Sequence, residues 1–221
     1  MIKQLLVVWI TSCTLVAYGQ SFEGTITYKT EALNPNPALF PDSMWQEILT
    51  SQFGESGTLT QQYYYKKGKY ISYIQSGNEK GYQAYNPEDG LLYAWEEGSD
   101  TAVTINSKKT MDTLVEIIDE EGTDTILGIV CHSILVKSKM GGARIWYNSD
   151  YLTMDWKYYK GHIYGHWEQI LKHIGCIPLR IEQKGFMAHL IQTAVSYEEV
   201  PINDEHFIIP EFKEIIVNPM N

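Results

Sequence analysis

From residue 58 to residue 148 the chain repeats one motif: a short alternating segment, then a turn too short to let the next segment run parallel. Segments 58–66 and 69–75 flank Lys67-Gly68. Segments 81–85 and 91–95 flank Asn86-Pro87-Glu88-Asp89-Gly90, and Met140-Gly141-Gly142 precedes 143–148. Strands joined by such turns pair antiparallel, because a parallel crossover needs a dozen or more residues. Further strands are predicted at 22–30, 102–105, 114–118, 125–137, 177–184 and 187–198. The segment 119–124, rich in Asp and Glu, reads as a turn. Residues 126–136 are apolar on both faces except for His132 and Ser133, which predicts a central strand buried on both sides.

Two helices interrupt the strands. After Pro41, Ser43 and Gln46 match a capping box, Trp45, Ile48, Leu49 and Phe53 recur at helical spacing, and Gly54 can end the helix. Ile163, Trp167, Ile170, Leu171 and Ile174 predict a second helix over 163–174, with Gly175 at its C-terminal end. Each helix has one apolar stripe to bury, and a sheet face is the available cover. The expected fold class is therefore mainly β with two helices: a curved antiparallel sheet, or half-barrel, covered by helices.

Residues 1–19 read as a secretory signal peptide, with Lys3 before an apolar run and Ala17-Tyr18-Gly19 at the cleavage site. The run is too short and too interrupted for a membrane span. The expected location is the periplasm or cell envelope, or secretion beyond it. Ile10-Thr11-Ser12-Cys13 also loosely matches a lipid-attachment box, so a lipoprotein anchored at Cys13 is the alternative. Residues 20–221 contain no linker-like tract and read as one domain. Lys3 is the only charged residue before position 20, so this domain carries 16 basic and 27 acidic residues, a net charge of −11. That balance disfavours a nucleic-acid partner, which needs a basic face. It leaves peripheral membrane contact open and says nothing of oligomeric state.

Several segments resemble a known family. Thr125-Ile126-Leu127-Gly128-Ile129-Val130-Cys131-His132-Ser133, then Arg144-Ile145-Trp146-Tyr147-Asn148, Ile177-Pro178-Leu179 and Phe207-Ile208-Ile209-Pro210 are similar to the "ILGY-C", "WY" and "PL" strands and the closing "F-x-I-P" of a secreted bacterial family of unknown function. That family is assigned to the superfamily of the lipoprotein carriers LolA and LolB. The similarity covers roughly residues 110–212, and the first half only by layout. It implies an unclosed, curved antiparallel sheet under helices, with room between them for a lipid or a lipoprotein acyl chain. Trp45, Ile48, Leu49, Trp167, Ile170 and Leu171 would then be lid or cavity residues. The alternative is that these side chains fill the core and that the protein is a structural or interaction protein. The carriers' cavity arginine has no counterpart motif here, so no functional residue is transferred.

The remaining signals are weaker. His162 and His166 have the spacing of a zinc pair on a helix, but Gly161 and Gly165 weaken that helix and no third ligand is placed; no metal or other cofactor is expected. Cys131 and Cys176 either form a disulfide, which an exported protein permits, or remain two buried thiols. Gly54-Glu55-Ser56-Gly57 lacks the second glycine of a nucleophile elbow, and no catalytic motif is found, so the expected protein is not an enzyme. The 16 tyrosines fit ordinary strand composition or the lining of an amphipathic cavity.

Overall fold

The computed structural model describes residues 21–77, 79–185 and 189–218. The predicted signal peptide, with Cys13, lies outside them. The first strand, β1 (Gly24–Leu33), alternates strictly, burying Gly24, Ile26, Tyr28, Thr30 and Ala32 on one face. Both of its edges are used: β2 (Thr58–Lys66) pairs on one side and β11 (His189–Glu199) on the other, each antiparallel.

From β2 a meander runs outward through β3 (Lys69–Ser76), β4 (Glu79–Asn86), β5 (Leu91–Glu96) and β6 (Thr101–Asn106). A second meander, β7 (Leu114–Ile126), β8 (Ile129–Ser138), β9 (Gly141–Tyr147) and β10 (Arg180–Lys184), runs inward to β11. A last strand, β12 (Glu214–Val217), returns to β6 and pairs parallel with it. The described residues thus form one 12-stranded sheet, mostly antiparallel and not closed, with β12 and β7 at its edges.

The structure relocates one turn. The break falls at Leu127-Gly128, both at positive φ (53° and 78°), so 125–137 is two strands joined by a tight hairpin. The 119–124 segment, predicted as a turn, lies inside β7, which bulges between Glu120 and Asp124 around Gly122 (φ 98°). Its carboxylates are held by arginines that reach across the sheet from β9 and β10. Arg144 meets Glu120 with two bonds of 2.7 and 3.0 Å, and Arg180 meets Asp124 at 2.6 Å. Each arginine holds its carboxyl below the usual range. Nor is 126–136 buried on both faces: Val130 is 53 % exposed while Cys131 is fully buried.

Both helices form, with altered starts. Helix α1 (Asp42–Phe53) begins after Pro41 without any side-chain cap, so the Ser43/Gln46 box is not made, and Gly54 ends it as predicted. Helix α2 covers only Trp167–Ile174. Ahead of it, Tyr164–His166 make a 3-10 turn in which Gly165 and His166 are left-handed (φ 63° and 62°). Gly175 caps α2, its N–H bonding the Leu171 carbonyl. Helix α2 and a 3-10 turn at Trp156–Tyr159 pack together over the face that carries Ile26 and Tyr28, called here the inner face. Helix α1 packs beside β2.

The Lys67-Gly68 hairpin forms as predicted, with both residues at positive φ. A methyl group on Gly68 would lie 2.2 Å from the Tyr158 Cβ, whereas Gly98, also at positive φ, has open space around it. Gly68→Ala is therefore expected to cost about 2–4 kcal/mol in urea unfolding, against about 1 kcal/mol for Gly98→Ala. Equal losses would show that Tyr158 does not rest on this turn.

Candidate functional site

The inner face of the central strands is rich in tyrosine because of period-two spacing. Tyr28 on β1, Tyr63 and Tyr65 on β2 and Tyr70 on β3 all point to one side, in registered rows. They pack ring against ring. Tyr63 stacks on Tyr65 at 5.5 Å and meets Tyr28 and Tyr70 edge-on at 5.6 and 5.4 Å. Opposite them stand Met154, Tyr159, His162, Trp167 and Leu171. Between the two walls lies a partly enclosed cavity of about 220 Å³.

One side of the cavity is polar. The Gln192 side-chain amide donates to Gln61 Oε1 (3.3 Å), and the Gln61 amide donates to Ser72 Oγ (2.9 Å) and Gln83 Oε1 (3.2 Å). Gln83 and Gln192 both line the cavity. The Tyr28 hydroxyl donates to the Pro178 carbonyl at 2.6 Å. Burial raises the Tyr28, Tyr63, Tyr65, Tyr70 and Tyr159 hydroxyls above the usual phenol range, so all are neutral at pH 7.

Among the residues lining the cavity, His162 is left without a hydrogen-bond partner for its ring. It is 2 % exposed, its ring lies 4.7 Å from that of Tyr85 and 5.6 Å from that of Tyr159, and neither ring nitrogen has a hydrogen bond. Burial lowers its pKa to about 4. Backbone contacts fix its place: His162 N donates to Tyr159 O (2.9 Å), Glu168 N donates to His162 O (3.0 Å), and the next two amides, of Ile163 and Tyr164, both donate to Ser107 O. No Asp, Glu, Lys or Arg lines the cavity among the described residues, so at neutral pH it is uncharged. Such a site favours a neutral ligand, because a buried unpaired charge is costly.

Of the six predicted lid residues, the structure brings two, Trp167 and Leu171, to this cavity. Ile170 enters a separate core with Ile134, Val136, Ile145, Ile174 and Cys176. Trp45 is buried beside Phe40, and Ile48 and Leu49 are half-buried on α1; none of the three lines the cavity. The left-handed residues before α2 turn His166 away from His162 and bring its Nε2 to 3.4 Å from Asp112. Among the described residues no cluster of three His, Cys, Asp or Glu is placed to hold a metal ion. Cys131 and Cys176 are buried free thiols rather than a disulfide, and burial raises both, Cys176 to about 12. Sequence reasoning missed the site's polar side, Gln83 and Gln192, and singled out His162 only as half of a weak zinc pair with His166. The alternation in Gln61-Gln62-Tyr63-Tyr64-Tyr65 was the available signal.

No family model and no curated protein matches the chain. Among solved structures it is similar to PNGF-II in two crystal forms, with TM-scores of 0.47 and 0.45 and identities of 13% and 11%. These matches cover 90% of this chain but 32% and 31% of PNGF-II, so the chain spans about a third of that protein. It is also similar to an uncharacterized conserved protein from Thermus thermophilus (TM-score 0.46, 6% identity, 89% of this chain and 91% of the other).

The buried His162 gives a pH prediction. As pH falls from about 6.5 to 4, the unfolded chain takes up a proton that the folded chain refuses. Stability contributed by neutral His162 is therefore lost across that window, by about 3 kcal/mol at its foot. Denaturation of wild type and His162→Phe at pH 7, 6 and 5 is expected to show a steeper acid decline in wild type. Parallel curves would mean that the imidazole titrates normally.

Proposed function

We propose that the protein is an exported envelope protein that binds a small, neutral, ring-containing amphiphile between its sheet and α2. The observation that carries this reading is the buried His162, with two unused ring nitrogens, on the wall of an uncharged aromatic cavity. A cavity of about 220 Å³ suits one ring: an engineered apolar cavity of roughly 150 Å³ holds benzene, whereas drug-sized sites run to roughly 300–1,000 Å³. Neutral imidazole has one donor and one acceptor, and Gln83 and Gln192 add amide groups. A hydroxyl or carbonyl on a flat ring would satisfy them while its faces rest on tyrosine and tryptophan.

This narrows the hydrophobic-ligand class implied by a half-barrel like that of the lipoprotein carriers. An acyl chain alone would leave the His162 imidazole unpaired, at a cost of about 1–3 kcal/mol. Export rests on the leader-like residues 1–19. Among the described residues no helix is long and apolar enough to cross a membrane. A second reading, an interaction protein acting through its surface, is favoured by Ile215, Ile216 and Val217, all exposed on the edge strand β12.

Calorimetric titration with 4-methylphenol tests the proposal. Saturable one-to-one binding is expected, reduced at least about tenfold by Ile181→Trp, which fills the cavity from half-exposed β10. Absence of saturable binding, or uptake of a fluorescent fatty acid that 4-methylphenol cannot displace, would overturn it.

A further inference from the structure

The aromatic cavity has a neighbour across its polar side. Gln83 lines it and also lines a second, more open groove of about 490 Å³ on the same face of β2–β6. The pairing register shows how the surface changes along the strands. Tyr65, Tyr70 and Tyr85 lie in one row across β2, β3 and β4. One step along, the row holds Tyr63, Ser72, Gln83 and Ala94; the next holds Gln61, Ile74, Gly81 and Glu96. Leu59 and Val103 complete the groove's apolar wall, and Gln52 of α1 lies against it. Gly81 leaves the floor without a side chain, and a Cβ there would lie 2.9 Å from the Trp95 carbonyl. The inner face thus runs from rings, through amides and a hydroxyl, to a groove where Leu59, Ile74, Ala94 and Val103 stand among polar residues such as Ser76, Thr101 and Glu96.

We infer that the ligand has two parts, a polar-edged ring in the aromatic cavity and an aliphatic chain that passes Gln83 and lies in the groove of Leu59, Ile74, Ala94 and Val103. This rests on the ring-binding reading of the cavity and adds the chain and its path. Gln83, common to both linings, selects the occupant: a chain attached to the bound ring would reach the groove at no further cost in translational entropy. A separate small molecule in so open a groove lacks that advantage. The groove's outer end, where Lys80 and Glu96 line it, is where the chain meets water.

The test is a series of 4-methyl-, 4-butyl- and 4-octylphenol, each titrated calorimetrically into the full chain. Affinity is expected to rise roughly twofold to fourfold per methylene, the upper figure being full burial. Val103 is 37 % exposed and Ala94 is half-buried, so a carboxylate at either place leaves the fold intact, as thermal melts would verify. Val103→Glu and Ala94→Glu are expected to flatten the gradient and leave 4-methylphenol binding unchanged. If 4-methylphenol binds but wild type shows no gradient, or if both variants keep it, the groove is not the chain's path and only the cavity reading survives. If no member of the series binds, the cavity reading falls and takes this inference with it.

Discussion

The double pairing of β1 is the constraint on which the rest of the structure depends. Gly24 stands opposite Tyr65 on one side and Glu199 on the other, so one strand joins two meanders that are otherwise separate sheets. Apart from the long β9–β10 connection over residues 148–179, the meanders cost little to form, since their hairpins close over a few residues. The β1–β11 ladder closes a loop of most of the chain, and that entropy is recovered only when the ladder and the face beneath it form together. The cavity straddles this seam. Tyr28 comes from β1, Tyr63 and Tyr65 from β2, and Gln192 from β11. No single hairpin holds enough of the wall to bind anything, so site and fold are completed by the same pairing.

The two faces of the sheet handle polar groups differently. On the outer face, Ser133 and Arg144 bond Glu120, the Trp146 indole bonds Glu182, and Arg180 bonds Asp124 and Thr193. These contacts tie β7 to β11 and satisfy partners that are still partly in water, where each pair is worth little by itself. On the inner face the glutamine row is satisfied in a chain, but the His162 ring is not. An unpaired buried imidazole is tolerated because the left-handed break at Gly165-His166 and the amides on Ser107 hold its backbone. That asymmetry is why the inner face, and not the charged ladder, is read as the site.

How much was legible follows from where each signal acts. Lys67-Gly68 and Gly175 were readable because positive φ at a turn or helix end is a local demand. Leu127-Gly128 was not, because leucine is a poor choice for that conformation and the acidic run a few residues earlier looks more like a turn. The run is a strand because it pairs with β8 and its carboxylates meet Arg144 and Arg180 from farther across the sheet, facts of tertiary pairing rather than of local sequence. The alternation of Tyr63 and Tyr65 was visible, yet only the register places Tyr28, Tyr70 and Gln192 beside them. Helical spacing put Trp167, Ile170 and Leu171 on one apolar stripe but could not show that Leu171 and Ile170 enter different cores, with Trp167 packed against both.

The cover over the cavity is built to stay in place. Met154 N bonds Gly175 O and Ile177 N bonds Leu152 O, closing a short bridge in which Thr153 pairs with Cys176. Gly161 N bonds the Glu168 carboxylate, and Ser107, itself anchored to Gly90 O, receives the two amides after His162. A wall pinned at both ends loses little freedom when a ligand arrives, so the contacts it offers are not offset by ordering. The groove beyond Gln83 has α1 beside it, whose single buried side chain is Trp45. A rigid pocket adjoining a loosely covered groove favours a ligand whose ring is specified closely and whose chain is read only as apolar surface.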